Sequence, residues 1–157
     1  MKTLRSGLLL LLAFLLTACA STGGKRVSEP AASIQQLTVD ARGGWQVRLR
    51  LQNYSSVAMR FDRVDLGVNV GGADAGRLNA QPALTIAPES ADVIDIALVP
   101  SAAARLQVAD ALAGGRGVAY TLKGTVSATP DAGKVRNFDI TRDSALSPAP
   151  GLPGVLR

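Results

Sequence analysis

Cys19 is the only cysteine of the 157-residue chain, and the chain contains no histidine. Histidine is the commonest general base and metal ligand, and it is the usual partner of a nucleophilic serine or cysteine. The sequence also lacks a Gly-x-Ser-x-Gly nucleophile elbow and a Gly-x-x-x-x-Gly-Lys-Ser/Thr phosphate loop. We therefore predict no catalytic residue, no metal site and no cofactor. The Cys19 thiol is the one side chain for which we predict a specific chemical modification.

The segment before Cys19 has the parts of a secretory signal. Lys2 and Arg5 supply a positive N-terminal region, and residues 8–16 form a short apolar run that is almost pure leucine. This run is about half of the ~20 residues needed to cross a bilayer, which argues against a retained membrane helix. We place a cleaved signal peptide at residues 1–18.

The residues at the cleavage point resemble the lipobox of bacterial lipoproteins: Leu16, Thr17, Ala18 and Cys19. In that family the cysteine thiol receives a diacylglyceryl group, the peptidase cuts just before it, and the new amine is acylated. The resemblance implies membrane lipid as the partner of Cys19 and a location in the cell envelope. Ala20 stands where aspartate tends to retain such proteins in the inner membrane, so the resemblance favours the outer membrane, facing the periplasm. The alternative is an ordinary cleaved signal with a passive Cys19.

The mature chain has a small positive charge and no route to a disulfide. Loss of Lys2 and Arg5 leaves 15 of the 17 basic residues, against 12 acidic ones. Because these charges are scattered and the protein is exported, we predict no nucleic-acid partner. Weak attraction to anionic lipid headgroups near the anchor is favoured instead. With no cysteine pair, the exported domain must depend on its hydrophobic core.

Composition divides the mature chain into a tether, one domain and a tail. Residues 19–33 comprise the lipidated cysteine and a stretch rich in Ser, Gly, Ala and Pro, which predicts a flexible tether. Residues 144–157 contain three prolines and predict a disordered tail. The folded domain is predicted at residues 34–143.

Alternation of apolar and polar residues predicts about seven strands in this domain, which is typical of an all-β sandwich. A slip of the apolar phase at Asp62-Arg63 predicts a bulge. The predicted strands lie at residues 34–39, 45–52, 59–70, 84–86, 91–99, 118–127 and 135–140.

One Ala-rich stretch, residues 101–112, predicts a short helix between strands. Ser101 can cap its start, and Gly114 can end it with a positive φ. We expect the stripe formed by Leu106, Ala109 and Leu112 to pack on the core rather than to bind a partner.

Four motifs, in this order and spacing, resemble the LEA type 2 family, whose domains are also called WHy (water stress and hypersensitive response). They are a strand ending at Asn53 (residues 47–53), a Gly-containing hairpin (65–76), Ile86-Ala87-Pro88, and Tyr120-Thr121-Leu122-Lys123-Gly124. The resemblance covers roughly residues 34–143. It departs at Tyr54, where the family usually has proline, although the Asn53 side chain can still turn the chain. The resemblance implies an immunoglobulin/fibronectin-III-like β-sandwich without catalytic residues, and plant members are linked to desiccation and stress protection.

Several clusters could bind a ligand, but each has a simpler structural interpretation. The carboxylates of Asp62 and Asp65, like those of Asp92 and Asp95, fall on opposite faces of a strand unless a bulge intervenes, which favours solvated edges over calcium binding or acid–base work. The Gly114–Gly117 loop is interpreted as a linker rather than an anion cradle. Three basic residues are candidates for a lipid- or glycan-contacting patch on one sheet face: Arg48, Arg50 and Lys123. Trp45 is interpreted as a core anchor rather than a stacking platform.

Together these observations predict a periplasm-facing lipoprotein that is a non-catalytic binding or protective module of the cell envelope, acting in desiccation or stress tolerance. Two alternatives stay open. In the first the protein handles lipid, with an acyl chain held between the sheets by core residues such as Leu49, Leu66, Ile96 and Leu122. In the second it is an accessory subunit whose exposed strand edge pairs with an envelope protein.

Overall fold

The structure is a computed structural model that describes residues 24–157. The signal peptide and the lipobox residues Leu16, Thr17, Ala18 and Cys19 lie outside the described residues. No helix among those described is long and apolar enough to cross a membrane. The elements are β1 (Ala31–Val39), β2 (Trp45–Gln52), β3 (Met59–Val70), β4 (Ala73–Ala80), β5 (Leu84–Ile86), β6 (Ala91–Leu98), α1 (Ala102–Ala113), β7 (Val118–Pro130), β8 (Arg136–Leu146) and β9 (Val155–Leu156).

Two antiparallel sheets enclose one hydrophobic core. The first has the order β6-β2-β1-β9 and the second β4-β3-β7-β8, with β5 pairing the start of β3. The predicted all-β sandwich with one short helix is confirmed. The described part of the chain has nine strands rather than about seven, because β4 and β9 were not among the predicted strands.

The alternating side chains of the strands fill the core as their pattern predicts. Every second residue of β2 is buried, beginning with Trp45, which is only 1% exposed. Trp45 is therefore a core anchor. The pairing of β3 with β7 shifts register between Phe61 and Arg63, which confirms the predicted bulge.

The Tyr-x-Leu-x-Gly segment on β7 has two structural tasks. β1 shifts register between Ile34 and Gln36, and the buried Ile34 N–H donates to the Tyr120 hydroxyl (3.1 Å) on the opposite sheet. Gly124 has a φ of 154°, and a Cβ built there would overlap the carbonyl oxygen of Asp65 on β3. Only glycine permits this close approach of the two backbones.

The helix has the predicted position but buries a different face. Ser101 caps α1 by accepting from the Ala104 N–H (3.2 Å), as predicted. The buried residues are Ala104, Val108 and Ala111. The predicted stripe is wrong at Leu106, which is 70% exposed, and at the exposed Ala109, whereas Leu112 is partly buried and packs against the core. The buried face carries small side chains because α1 lies close against β4, β3 and β7.

The end of the helix also differs from the prediction. Gly114 has a φ of −86°, and the positive φ belongs to Gly115, at 59°. Both N–H groups return to carbonyls of the last helical turn. The left-handed residue therefore comes one position later than predicted.

Both predicted domain boundaries are wrong. At the N-terminal side, β1 begins at Ala31 and pairs with β2, and Pro30 is already buried. At the C-terminal side, β8 continues to Leu146, and the chain returns to pair Leu156 with β1. Composition suggested disorder, but tertiary pairing supplies the backbone partners that these short segments lack on their own. The fold therefore includes the end of the predicted tether, from Pro30, and the predicted tail.

Candidate functional site

The N-terminal segment joins one end of the sandwich, which we call the upper end. The upper end is formed by three loops between strands, at residues 53–58, 87–90 and 131–135. The opposite, lower end is covered by α1, with Arg105 beside Gly43 of the β1–β2 turn and Gln107 beside Gly71 of the β3–β4 turn.

Asn53 is the centre of the upper end. Its side chain is fully buried, and its amide nitrogen lies within hydrogen-bonding distance of the carbonyls of Val57 (2.9 Å), Ile86 (3.1 Å) and Ala87 (3.0 Å). Its Oδ1 accepts from the Ser55 N–H (2.9 Å), which forms the predicted side-chain turn without proline. One buried amide thus ties the β2–β3 loop to the end of β5.

The N-terminal segment is bound to the loop that Asn53 organises. The Arg26 N–H donates to Ser56 Oγ (2.8 Å), and the Ser56 N–H donates to the Arg26 carbonyl (3.0 Å). One step further, the Ser28 N–H donates to the buried Ser55 Oγ (3.0 Å). Val27 packs against the core between these contacts. Residues 26–33, which were predicted to belong to a flexible tether, are therefore part of the folded domain.

The guanidinium of Arg26 makes two further contacts at this end. It donates to the Tyr54 carbonyl (3.1 Å) and to Glu89 Oε1 (3.2 Å). All three side chains are solvent-exposed, so the ion pair with Glu89 contributes little by itself. The two hydrogen bonds between the Arg26 backbone and Ser56 are the main link.

The predicted basic patch of Arg48, Arg50 and Lys123 does not form. Arg48 and Arg50 lie on the outer face of β2, whereas Lys123 lies on β7 of the other sheet. Arg48 also has an acidic partner, Asp95, at 3.5 Å. Three residues that were predicted to share a face are thus divided between two faces.

Arg50 instead shares a groove with an arginine that sequence reasoning missed. Arg50 and Arg142 line an open groove of about 280 Å³ together with Gln52, Tyr54 and the start of β1. Arg142 falls in the same register as the buried Ile140 and Leu146 of β8, so it is a charged residue at an inward position of an edge strand. The predicted strand at residues 135–140 ended before it.

The acidic pairs have separate partners. Asp62 lies 3.3 Å from Arg60 and accepts from the Thr129 hydroxyl (2.6 Å), whereas Asp65 accepts from the Nε of Arg77 (2.9 Å). Asp92 accepts from the neighbouring Val93 N–H. No group of three or more Asp, Glu, His or Cys side chains within residues 24–157 could hold a metal ion.

The glycine loop after α1 also has an internal role. Arg116 pairs with Asp110 of the helix at 2.6 Å, and its N–H donates to the Ala111 carbonyl (2.9 Å). These contacts bind the loop to the helix end. They support its interpretation as a linker.

Another groove lies on the outer face of the second sheet. It has a volume of about 590 Å³, with Gly67 and Gly76 among its lining residues and Arg77 and Lys123 beside them. Arg77 is already paired with Asp65, and another carboxylate, that of Asp74, lines the groove. Its mixed charge indicates no particular ligand.

The family of the chain follows from a comparison with known sequences. The family model described as late embryogenesis abundant protein matches residues 48–141, more than half of the chain. The chain belongs to the LEA type 2 family. The match includes the Asn53 turn and the Tyr120–Gly124 segment, whose structural tasks are given above. The family is in general non-enzymatic and suggests a non-catalytic role related to stress or desiccation.

Three solved structures are similar to this LEA type 2 chain at low identity. A protein from Archaeoglobus fulgidus is 13% identical, with 78% of this chain and 98% of that chain covered and a TM-score of 0.45. A protein from Arabidopsis thaliana is 12% identical, with coverages of 79% and 80% and a TM-score of 0.47. A putative late embryogenesis abundant protein is 11% identical, with coverages of 98% and 86% and a TM-score of 0.48. A search among curated proteins finds no match.

Proposed function

We propose that this protein is a lipoprotein of the cell envelope, anchored in the outer membrane by acylated Cys19 and facing the periplasm. Its LEA type 2 sandwich acts there as a non-catalytic binding and protective module during desiccation or related stress. The observation that supports the proposal is the docking of the N-terminal segment from Arg26 onward, because an anchor at Cys19 would then join the folded domain at its upper end.

The docking leaves a short linker between Cys19 and Arg26, which we call the leash. Only residues 20–25 separate Cys19 from Arg26. Seven chain steps of at most about 3.6 Å span roughly 25 Å. An acylated Cys19 would therefore hold the upper end of the sandwich close to the bilayer surface. Three acyl chains exceed the two signals that stable anchoring requires, so the domain would stay on its membrane.

The filled core supports action through the surface rather than transport of a lipid inside. Leu49, Leu66 and Leu122 are fully buried in the core, and Ile96 is nearly so. None of these four residues lines any of the grooves described above. An acyl chain between the sheets would have to displace well-packed side chains, which is costly in a close-packed interior.

Drying survival of a deletion strain tests the proposal. Wild-type protein should restore survival and reduce aggregation of envelope proteins, whereas a Cys19→Ser variant made at the same level should not. Asn79→Ala, at an exposed position of β4, is the matched control and should behave like wild type. Unchanged survival and aggregation in the deletion strain would overturn the protective role. Full rescue by Cys19→Ser would overturn the need for the anchor.

A further inference from the structure

The groove between Arg50 and Arg142 has an unusual charge. None of its lining residues is acidic, although the chain has 12 acidic residues. Arg50 donates to Gln52 Oε1 (2.7 Å), and neither arginine has a carboxylate partner within residues 24–157, whereas five other arginines there do. Two guanidinium groups beside one open groove are complementary to an anion with several oxygen atoms.

The groove lies where the leash leaves the domain. Tyr54 lines it, and the Tyr54 carbonyl accepts from Arg26, the first residue of the docked segment. The Tyr54 side chain is 51% exposed at the position where the family usually has proline. Tyrosine is enriched at membrane interfaces because its ring is apolar and its hydroxyl is polar. An aromatic ring and two arginines therefore lie on the side of the domain where the leash begins.

We propose that this groove binds the phosphate of an anionic phospholipid headgroup in the bilayer that holds the anchor. The guanidinium groups of Arg50 and Arg142 pair with phosphate oxygens, and Tyr54 lies at the headgroup level. This inference rests on the proposed anchoring, because the leash is what brings the groove to a bilayer. It orients the sandwich with its upper end on the membrane and α1 toward the periplasm.

Binding to vesicles without the acyl anchor tests the groove by itself. The mature chain carrying Cys19→Ser keeps every described residue and is incubated with vesicles of phosphatidylcholine, alone or mixed with phosphatidylglycerol. We expect preference for the mixed vesicles and about 30-fold weaker binding to them by Arg50→Gln/Arg142→Gln. Each basic residue near an anionic surface contributes about 1 kcal/mol, and two such residues correspond to that factor.

The matched control removes the same charge from the lower end. Arg42→Gln/Arg105→Gln changes two exposed arginines near the β1–β2 turn and on α1. Residues 45–50 of β2 alone span about 17 Å, which exceeds the Debye length of ~10 Å at 0.1 M salt. The control should therefore weaken binding less than about twofold. An equal loss in both double variants would mean that net charge alone drives binding and would overturn the groove.

The orientation has its own readout. With Cys19→Ser the chain has no cysteine, so one introduced cysteine can carry a polarity-sensitive fluorophore. A label at Val135→Cys, on the upper end, should shift to the blue with mixed vesicles, and a label at Leu106→Cys, on α1, should not. A shift only at Leu106→Cys, or equal binding to both kinds of vesicle, would overturn the inference. Because these assays lack the acyl chain, their failure is distinct from a failure of Cys19 acylation in cells.

Discussion

Replacement of Asn53 should destabilise the whole sandwich, although the residue lies at one end of it. In Asn53→Ala, the carbonyls of Val57 and Ile86 lose their donor and the Ser55 N–H loses its acceptor, all at buried positions. Ala87 also loses a donor, but it is exposed and water can replace that bond.

The expected loss follows from these three buried groups. At about 1 kcal/mol for each hydrogen bond lost, Asn53→Ala should lower the free energy of unfolding by about 3 kcal/mol. Asn53→Asp should cost more, because it keeps the acceptor for Ser55 but directs a buried negative charge at carbonyl oxygens. Native domains have only about 5–15 kcal/mol of stability, so either change is severe.

Urea unfolding followed by tryptophan fluorescence measures this loss. Trp45 is the only tryptophan, is 1% exposed and lies at the far end of β2, so it reports on the domain as a whole. Asn79→Ala and Asn79→Asp change an exposed asparagine and should stay within about 0.5 kcal/mol of wild type. A loss below about 1 kcal/mol in Asn53→Ala would refute the assignment of Asn53 as the centre of the upper end.

Three further changes test the core and the helix by the same assay. Gly124→Ala should cost at least about 3 kcal/mol, because the new Cβ would meet the Asp65 carbonyl; a change below about 1 kcal/mol would contradict the close approach. Ser101→Ala should cost about 1 kcal/mol through loss of the helix cap, with no effect expected if the cap is absent. Val108→Ala should cost about 2 kcal/mol and Leu106→Ala less than about 0.5; the reverse order would restore the predicted stripe as the packed face.

The strands were predictable because each has one buried face. Alternation along β2 and β7 identified them directly, and the bulge in β3 followed from a slip in the same alternation. β4 was not predicted because Gly76 and the polar residues Arg77 and Asn79 leave it few apolar positions. Its partner β3 supplies the pattern for both strands of that hairpin.

The helix shows why size is a poor guide to the buried face. Two sets of residues in α1 have helical spacing, and Leu106 made one of them the more hydrophobic. The face that packs on the sheet instead carries Ala104 and Ala111, whose small side chains permit the helix to lie close to the sheet. Which set is buried depends on the distance between helix and sheet, which periodicity does not contain.

The segments that join the site at the upper end could not be predicted from composition. Arg26 is bound to Ser56, 30 residues away along the chain, and Ser28 is bound to Ser55, 27 residues away. Serine and glycine are also common in flexible linkers, so composition does not distinguish a docked segment from a flexible one. The pairing becomes evident only when the fold brings the two segments together. Arg142 was missed for a related reason, since its strand loses alternation where the edge meets solvent.

The central claim is that acylated Cys19 anchors the domain to a membrane, and the mass of the mature protein tests it most directly. The full chain is expressed in a bacterium with two membranes, and the membrane fraction is digested and analysed by mass spectrometry. We predict an N-terminal peptide that begins at Cys19 and carries a diacylglyceryl group and an amide-linked acyl chain, and uncleaved precursor for Cys19→Ser. A mature chain that begins elsewhere, or an unmodified Cys19 in the soluble periplasmic fraction, would contradict the claim.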